Sequence, residues 1–449
     1  MLTMLSFRNV AAVVLTLILA GCADVVSSPS AVPPTAAPSP TPSAVPTPTP
    51  STMPTPTLTP TAEPTASPTA EPTPSPEPTA TAIAQREGLI VDWRQMPDAG
   101  LDQATSFAGI AAADGLYLAI GDAGDDFQST AWTSDDGLHW AGAPFGTGLT
   151  LPAAITSAQP GFIVVGWEFP GGYVAISPDG VTWQRVDDPI FAEQDLRWVG
   201  TIGTATIAFT DAGAAFATSD AQTWEAALDP GTLDVADGLL GLTSDGEALW
   251  AFSLDGDEPR ANRRLVEVWR STDLTWTQVG VLADSQGAQS IVSSGGPNGL
   301  VAIAQVQRHN DYGWATWYSV DGSAWQAATN SPRDIVDVLA DQAGFVAVGY
   351  YNVGQGCALI ETDDVGVTWT SVDGSVWRQM PEDGWMGREI HALALNGRTL
   401  IGLGIDWNEH YDGAGDSGVL WTAELPEAAL DEAPLPSPAP TPEPGGSCG

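Results

Sequence analysis

An all-β ring of seven four-stranded blades, a seven-bladed β-propeller closed by an N-terminal strand, is the fold that three observations predict. Seven tryptophans, Trp93, Trp140, Trp183, Trp224, Trp276, Trp325 and Trp377, follow one another 41 to 52 residues apart, a spacing that suits one propeller blade per repeat. Four of them close the same heptapeptide, Ser-x-Asp-Gly-x-x-Trp, at Ser134 to Trp140, Ser177 to Trp183, Ser319 to Trp325 and Ser371 to Trp377. The last repeat stops after Val419-Leu420-Trp421-Thr422 with no turn and no fourth strand, whereas the globular part opens on an orphan fourth strand, Ile90 to Met96. Trp93 to Pro97 is identical to Trp377 to Pro381, which places Trp93 in a fourth strand. The two ends therefore complete one blade and leave no open sheet edge.

Each repeat reads as four strands in order. A variable loop leads to an apolar first strand, such as Phe107 to Ala113 or Ile335 to Ala340. Second strands have a recurring form, Gly115 to Gly121, Gly161 to Gly166 and Gly344 to Gly349, whose continuous apolar runs predict burial on both faces. Third strands carry a second tryptophan two residues before the serine or its equivalent, at Trp132, Trp269, Trp317, Trp369 and Trp421. Thr362 to Trp369 also fits a lengthened form of the turn, but aligning Trp369-Thr370-Ser371 with Trp132-Thr133-Ser134 makes Trp369 a third-strand residue. Cys357 to Gly366 then falls in a long loop of the sixth blade.

The heptapeptide is explained by turn chemistry. Aspartate accepts backbone N–H bonds, glycine takes a positive φ, and serine or threonine bonds locally to hold the approach. At Ser134, Asp136, Gly137 and Trp140, at Ser177, Asp179, Gly180 and Trp183, at Ser319, Asp321, Gly322 and Trp325, and at Ser371, Asp373, Gly374 and Trp377, the pattern resembles the Asp-box, or bacterial neuraminidase repeat. Degenerate copies carry Asp220 with Trp224 and, one residue short, Asp273 with Trp276. The resemblance implies a turn between third and fourth strands. It implies no chemistry, because the repeat occurs in enzymes and binding proteins alike.

The N-terminus has a basic start at Arg8, a short apolar run from Val10 to Leu19, and then Leu19-Ala20-Gly21-Cys22. This resembles a bacterial lipoprotein signal, and the resemblance implies cleavage before Cys22, lipidation of its thiol, and attachment to the outer side of the cell membrane. Expected divisions are a signal peptide over 1–21, a lipid-anchored disordered stalk over 22–87, the propeller over 88–426 and a disordered acidic tail over 427–449. The stalk is almost entirely Pro, Thr, Ser and Ala from Ser27 to about Ala84, a composition that builds no core. As polyproline II it reaches roughly 150 to 180 Å when extended. Cys357 and Cys448 remain as an even pair in an oxidising compartment and are candidates for a disulfide.

Fifty-five acidic residues stand against 14 basic ones, all arginine, giving a net charge of −41. Such a field repels nucleic acid. Both the stalk and the tail leave a propeller of this topology from the face bearing the heptapeptide turns, so the opposite, distal face is where a glycan, peptide or protein ligand of this monomeric surface protein is expected. Loops there hold an aromatic and basic set, Trp167, Arg263, Arg264, Arg308, Tyr312, Arg333, Tyr351, Trp385, Arg388, Trp407 and His410, suited to stacking on sugars and gripping carboxylates. Pairing of those arginines with nearby carboxylates is the plainer reading.

No cofactor is expected. Acidic loops offering calcium ligands contain Asp122, Asp125 and Asp126 in the first blade and Asp406 and Asp412 in the seventh, without EF-hand spacing. The four histidines show no zinc-ligand spacing. Sialidases share the repeat, which implies a glycoside-cleaving alternative, but their Arg-Ile-Pro motif is absent and seven blades replace six. An envelope scaffold is the third reading.

Overall fold

The computed structural model describes residues 89–124, 128–145, 150–159, 161–168, 170–210, 213–227, 239–255, 264–308, 311–352, 364–381, 388–406 and 417–426. Within them the predicted propeller is present. First strands are Ala104–Ala113, Thr150–Ala158, Leu196–Ile202, Leu239–Ser244, Ile291–Gly296, Ile335–Asp341 and Arg388–Asn396 in blades 1 to 7. Each touches the first strand of the next blade, and that of blade 7 touches that of blade 1, so the ring is closed. Second strands are Leu116–Ala123, Gly161–Glu168, Ala205–Thr210, Leu249–Leu254, Gly299–Arg308, Gly344–Asn352 and Thr399–Asp406. Third strands are Gln128–Ser134, Gly171–Ser177, Ala215–Thr218, Val266–Ser271, Asp311–Ser319, Asp364–Ser371 and Ser417–Glu424.

Fourth strands are short, with only Gln184–Arg185, Glu225–Ala226, Gln326–Ala327 and Arg378–Gln379 in blades 2, 3, 5 and 6. Blade 7 takes its fourth strand from the N-terminal side: Arg94, Gln95 and Met96 pair antiparallel with Thr422, Trp421 and Leu420. This is the predicted closure, with the ladder confined to three residues of the expected Ile90 to Met96. Upstream, Leu89 and Val91 are buried against blades 6 and 7. In blade 6 the third strand carries Trp369, as expected, but it begins at Asp364 and shortens the anticipated loop.

Alternation within the second strands explains their unbroken apolar runs. In blade 1, Leu118 and Ile120 pack with Phe162 and Val164 of blade 2, while Tyr117 and Ala119 pack with Ile401 and Leu403 of blade 7. Both faces of every blade are interfaces, so successive side chains serve opposite neighbours.

The heptapeptide turns repeat one hydrogen-bond set. In blade 1, Ser134 Oγ accepts from Gly137 N at 2.8 Å, and Asp136 Oδ1 accepts from Leu138 N and His139 N at 2.7 and 2.8 Å. The indole N–H of Trp140 donates to Gly137 O, as those of Trp183, Trp224, Trp325 and Trp377 do to Gly180, Ala221, Gly322 and Gly374. Gly322 has φ +78°, and a Cβ there would overlap the Trp250 ring of blade 4. Blade 4 is one residue short in this turn. Its Trp276 is buried, and its indole N–H has no hydrogen-bond partner among the described residues.

These bonds hold the turn carboxyls below the usual carboxylate range. For Asp136 the bond from His139 is the largest cause, and for Asp179 and Asp220 the backbone N–H groups of Thr182 and Thr223 lead. Ser323 leads for Asp321. A depressed folded pKa gives stability that is present above the unfolded value, near 3.9, and is lost as pH falls through the folded value. Thermal unfolding is therefore expected to weaken as pH drops below about 4, and Asp→Asn changes at positions 136, 179, 220 and 321 to flatten that slope. An unchanged slope in the quadruple variant would contradict this assignment.

Candidate functional site at the distal mouth of the channel

Strand direction sorts the loops. The turns after first and third strands share one face, as shown by Asn396 Nδ2 donating to Asp136 O at 2.9 Å across blades 7 and 1. Both described chain ends lie there. Thr370 Oγ1 donates to Leu89 O at 2.7 Å, near the turn end of its strand, and Leu425 N donates to Arg398 O at 2.8 Å. Loops after second strands and blade-to-blade connections form the opposite, distal face.

The strands place Trp167, Arg264, Arg308, Tyr312, Arg333, Tyr351 and Arg388 at their distal ends, in blades 2, 4, 5, 6 and 7. No direct contact among these seven is seen; Arg263, Trp385, Trp407 and His410 lie outside the described residues, as do Cys22, Cys357 and Cys448. Two other distal arginines are held by carboxylates. Arg197 Nη2 lies 2.8 Å from Asp195 Oδ2, and Arg185 pairs with Glu168 and with Asp187 while lying over the Tyr173 ring. Burial, then the charge of Glu168, push the Tyr173 hydroxyl up to about 12, against a lowering by Arg185.

Carboxyls recur at this face. Burial raises the pKa of Asp122 despite a hydrogen bond from Ser106, and its Oδ1 is buried with no partner among the described residues. Burial likewise raises Asp334, against the charge of Arg333 and a bond from Trp314. Asp406 is buried. Among the described residues no group of three or more His, Cys, Asp and Glu side chains is arranged to hold a metal; the calcium candidates Asp125, Asp126 and Asp412 lie outside them.

A recurring β-bulge shapes the mouth. The register between first and second strands slips by one residue at Ala108, Ala153, Arg197, Leu240, Val336 and His391, in blades 1, 2, 3, 4, 6 and 7. The extra residue pushes a carbonyl over the second strand. A Cβ at Gly349 or Gly404 would strike Asp334 O or Glu389 O, which gives the glycine ending the predicted second-strand pattern its physical cause.

In blade 7 the bulge presents His391. Its Nε2 lies 2.8 Å from Glu389 Oε2, and Glu389 is only 2% exposed. The imidazole stacks on Tyr350 of blade 6 at 5.7 Å and 16°. Sequence reading did not single out Glu389 or His391; the glycine pattern at Gly404 was the signal that marked the spot.

At the other end of the channel, blades 1 to 4 enclose a cavity of about 500 Å³. Its lining is small or hydroxylated, and a hydroxyl chain runs from Thr156 through Thr201 to Thr206. Asp114 is the only ionisable side chain in it.

Ring, blade count and strand order define the molecule as a seven-bladed β-propeller. No protein-family model and no curated protein matches the chain. Solved structures do. YCF48 from Cyanidioschyzon merolae is 15% identical with a TM-score of 0.50, over 74% of this chain and 98% of that one. YCF48 bound to D1 peptide is 14% identical with a TM-score of 0.49, over 74% and 96%. The phage phi92 endosialidase is 10% identical with a TM-score of 0.43, over 79% and 72%. At these identities the likeness concerns the fold alone.

Proposed function

We propose that the chain is a lipid-anchored cell-surface protein whose non-catalytic propeller binds a glycan, peptide or protein through its distal face. The observation that carries this reading is the exit of both described chain ends on the turn face. A tether attached there leaves the distal loops facing away from the membrane, where a rigid ring displays them. The Leu19-Ala20-Gly21-Cys22 signal and the Pro/Thr-rich stalk supply the tether.

Two experiments test the two halves. Cys22→Ser is expected to move the protein from the membrane fraction to the soluble one; retention on membranes would remove the anchor from the proposal. Trp407→Ala and Arg388→Ala are expected to weaken capture of envelope glycans or proteins at least tenfold without shifting the unfolding midpoint. Indifference to every distal-loop change would move the binding face elsewhere.

Glycoside cleavage is the second reading, favoured by the buried carboxyls Asp122 and Asp334, whose raised pKa suits a general acid. It requires turnover of some glycoside that Asp122→Asn or Asp334→Asn abolishes.

A further inference from the structure

Resting on the distal face as the ligand face, we propose that Nδ1 of His391 accepts a hydrogen bond from a hydroxyl of a neutral saccharide at the mouth of the channel. Six bulge residues line up around the distal rim, and only Arg197 and His391 among them bear polar groups. Arg197 is engaged by Asp195 of its own blade. The imidazole of His391 is fixed but not used up. Buried Glu389 holds Nε2, so with Glu389 ionised that nitrogen carries the proton. Tyr350 holds the ring plane from the neighbouring blade.

Nδ1 is then left with its lone pair outward, and it has no hydrogen-bond partner among the described residues. The His391 side chain is 20% exposed, so a ligand at the rim reaches it. Ligand chemistry follows from the neighbouring distal strand ends. Asp337 accepts from Val338 N and Leu393 N, the second across the blade 6 and 7 boundary. Asp406 of blade 7 and Asp122 of blade 1 add further carboxylates to this side of the ring. A mouth of acceptors complements a ligand rich in donors and repels anions. Uncharged sugars offer many hydroxyl donors and one apolar ring face for an aromatic neighbour.

The test uses the full chain with ¹⁵N-labelled histidine and long-range ¹H–¹⁵N spectra at pH 8. Cellobiose, maltose and chitobiose serve as neutral probes, sialyllactose as the anionic one and spermidine as the cationic one. The expected result is a saturable shift of the His391 Nδ1 resonance with a neutral disaccharide. His391→Ala should weaken that binding about tenfold, the loss of one hydrogen bond. His391→Asn, which keeps an acceptor near the Nδ1 position, should stay within about threefold of the parent. Equal binding by His391→Ala, no shift with any neutral sugar, or a response to sialyllactose or spermidine alone overturns the inference. Distal-loop capture of a protein that ignores His391→Ala would overturn it too while leaving the distal-face reading intact.

Discussion

A chain starting at Asp98 is expected to fail to fold as a monomer, whereas one starting at residue 80 should unfold with the parent's midpoint. Deleting Leu89 to Met96 removes the three-residue ladder to Thr422, Trp421 and Leu420. It also removes the buried side chains of Leu89 and Val91, 3% and 5% exposed, and the bond from Trp93 Nε1 to Thr368 Oγ1 at 3.0 Å. Burying Leu or Val contributes roughly 1.5–3 kcal/mol each, against a total stability of about 5–15 kcal/mol. The loss does not end with those terms. The third strand of blade 7 becomes an open edge, and open edges pair with other chains. Circular dichroism melting and size-exclusion chromatography read the outcome. A cooperative, monomeric transition in the shortened chain would show that the ring does not depend on its closing strand.

Trp317→Ala is expected to cost about 3–5 kcal/mol, as large core truncations do. Trp317 is 2% exposed in the shared core of blades 4 and 5. Its indole N–H donates to Ala283 O at 2.7 Å, so truncation also strips that carbonyl of its donor. Trp276 provides the contrast. Its buried N–H has no partner among the described residues, so Trp276→Phe keeps a ring against Phe209, now 6.0 Å away, and removes an unsatisfied donor. That change is expected to stay within about 1 kcal/mol of the parent. Denaturant midpoints for the two variants check the pair, and equal losses would refute the separate roles assigned to the two tryptophans.

Legibility followed the range of the forces involved. The turn glycines, the aspartate caps and the tryptophan comb are local chemistry, and the ring, its seven blades and its closing strand were readable from them. Third-strand tryptophans settled the register of blade 6, although the onset of that strand at Asp364 was missed because the preceding segment has no strand pattern of its own. Lengths of fourth strands were equally hidden. Two paired residues suffice at Gln326–Ala327 because the turn and Trp325 already anchor the chain.

The distal site divides along the same line. Sequence placed Trp167, Arg333 and Tyr351 on one face because strand order alone decides which end of a blade a residue occupies. It did not find Glu389 and His391. An isolated histidine two residues after a glutamate looks like any alternating strand, and only the bulge opposite Gly404 turns the ring toward its partner. The stack on Tyr350 joins residues in different blades.

By itself, then, the sequence determined the number of blades, the strand that closes them and the polarity of the two faces, since turn conformation and period-two burial are dictated by near neighbours in the chain. Tertiary structure alone decided which carboxylate meets which base at the channel mouth. That choice depends on one-residue shifts in register and on packing between separate sheets, and neither leaves a repeating mark in the order of the residues.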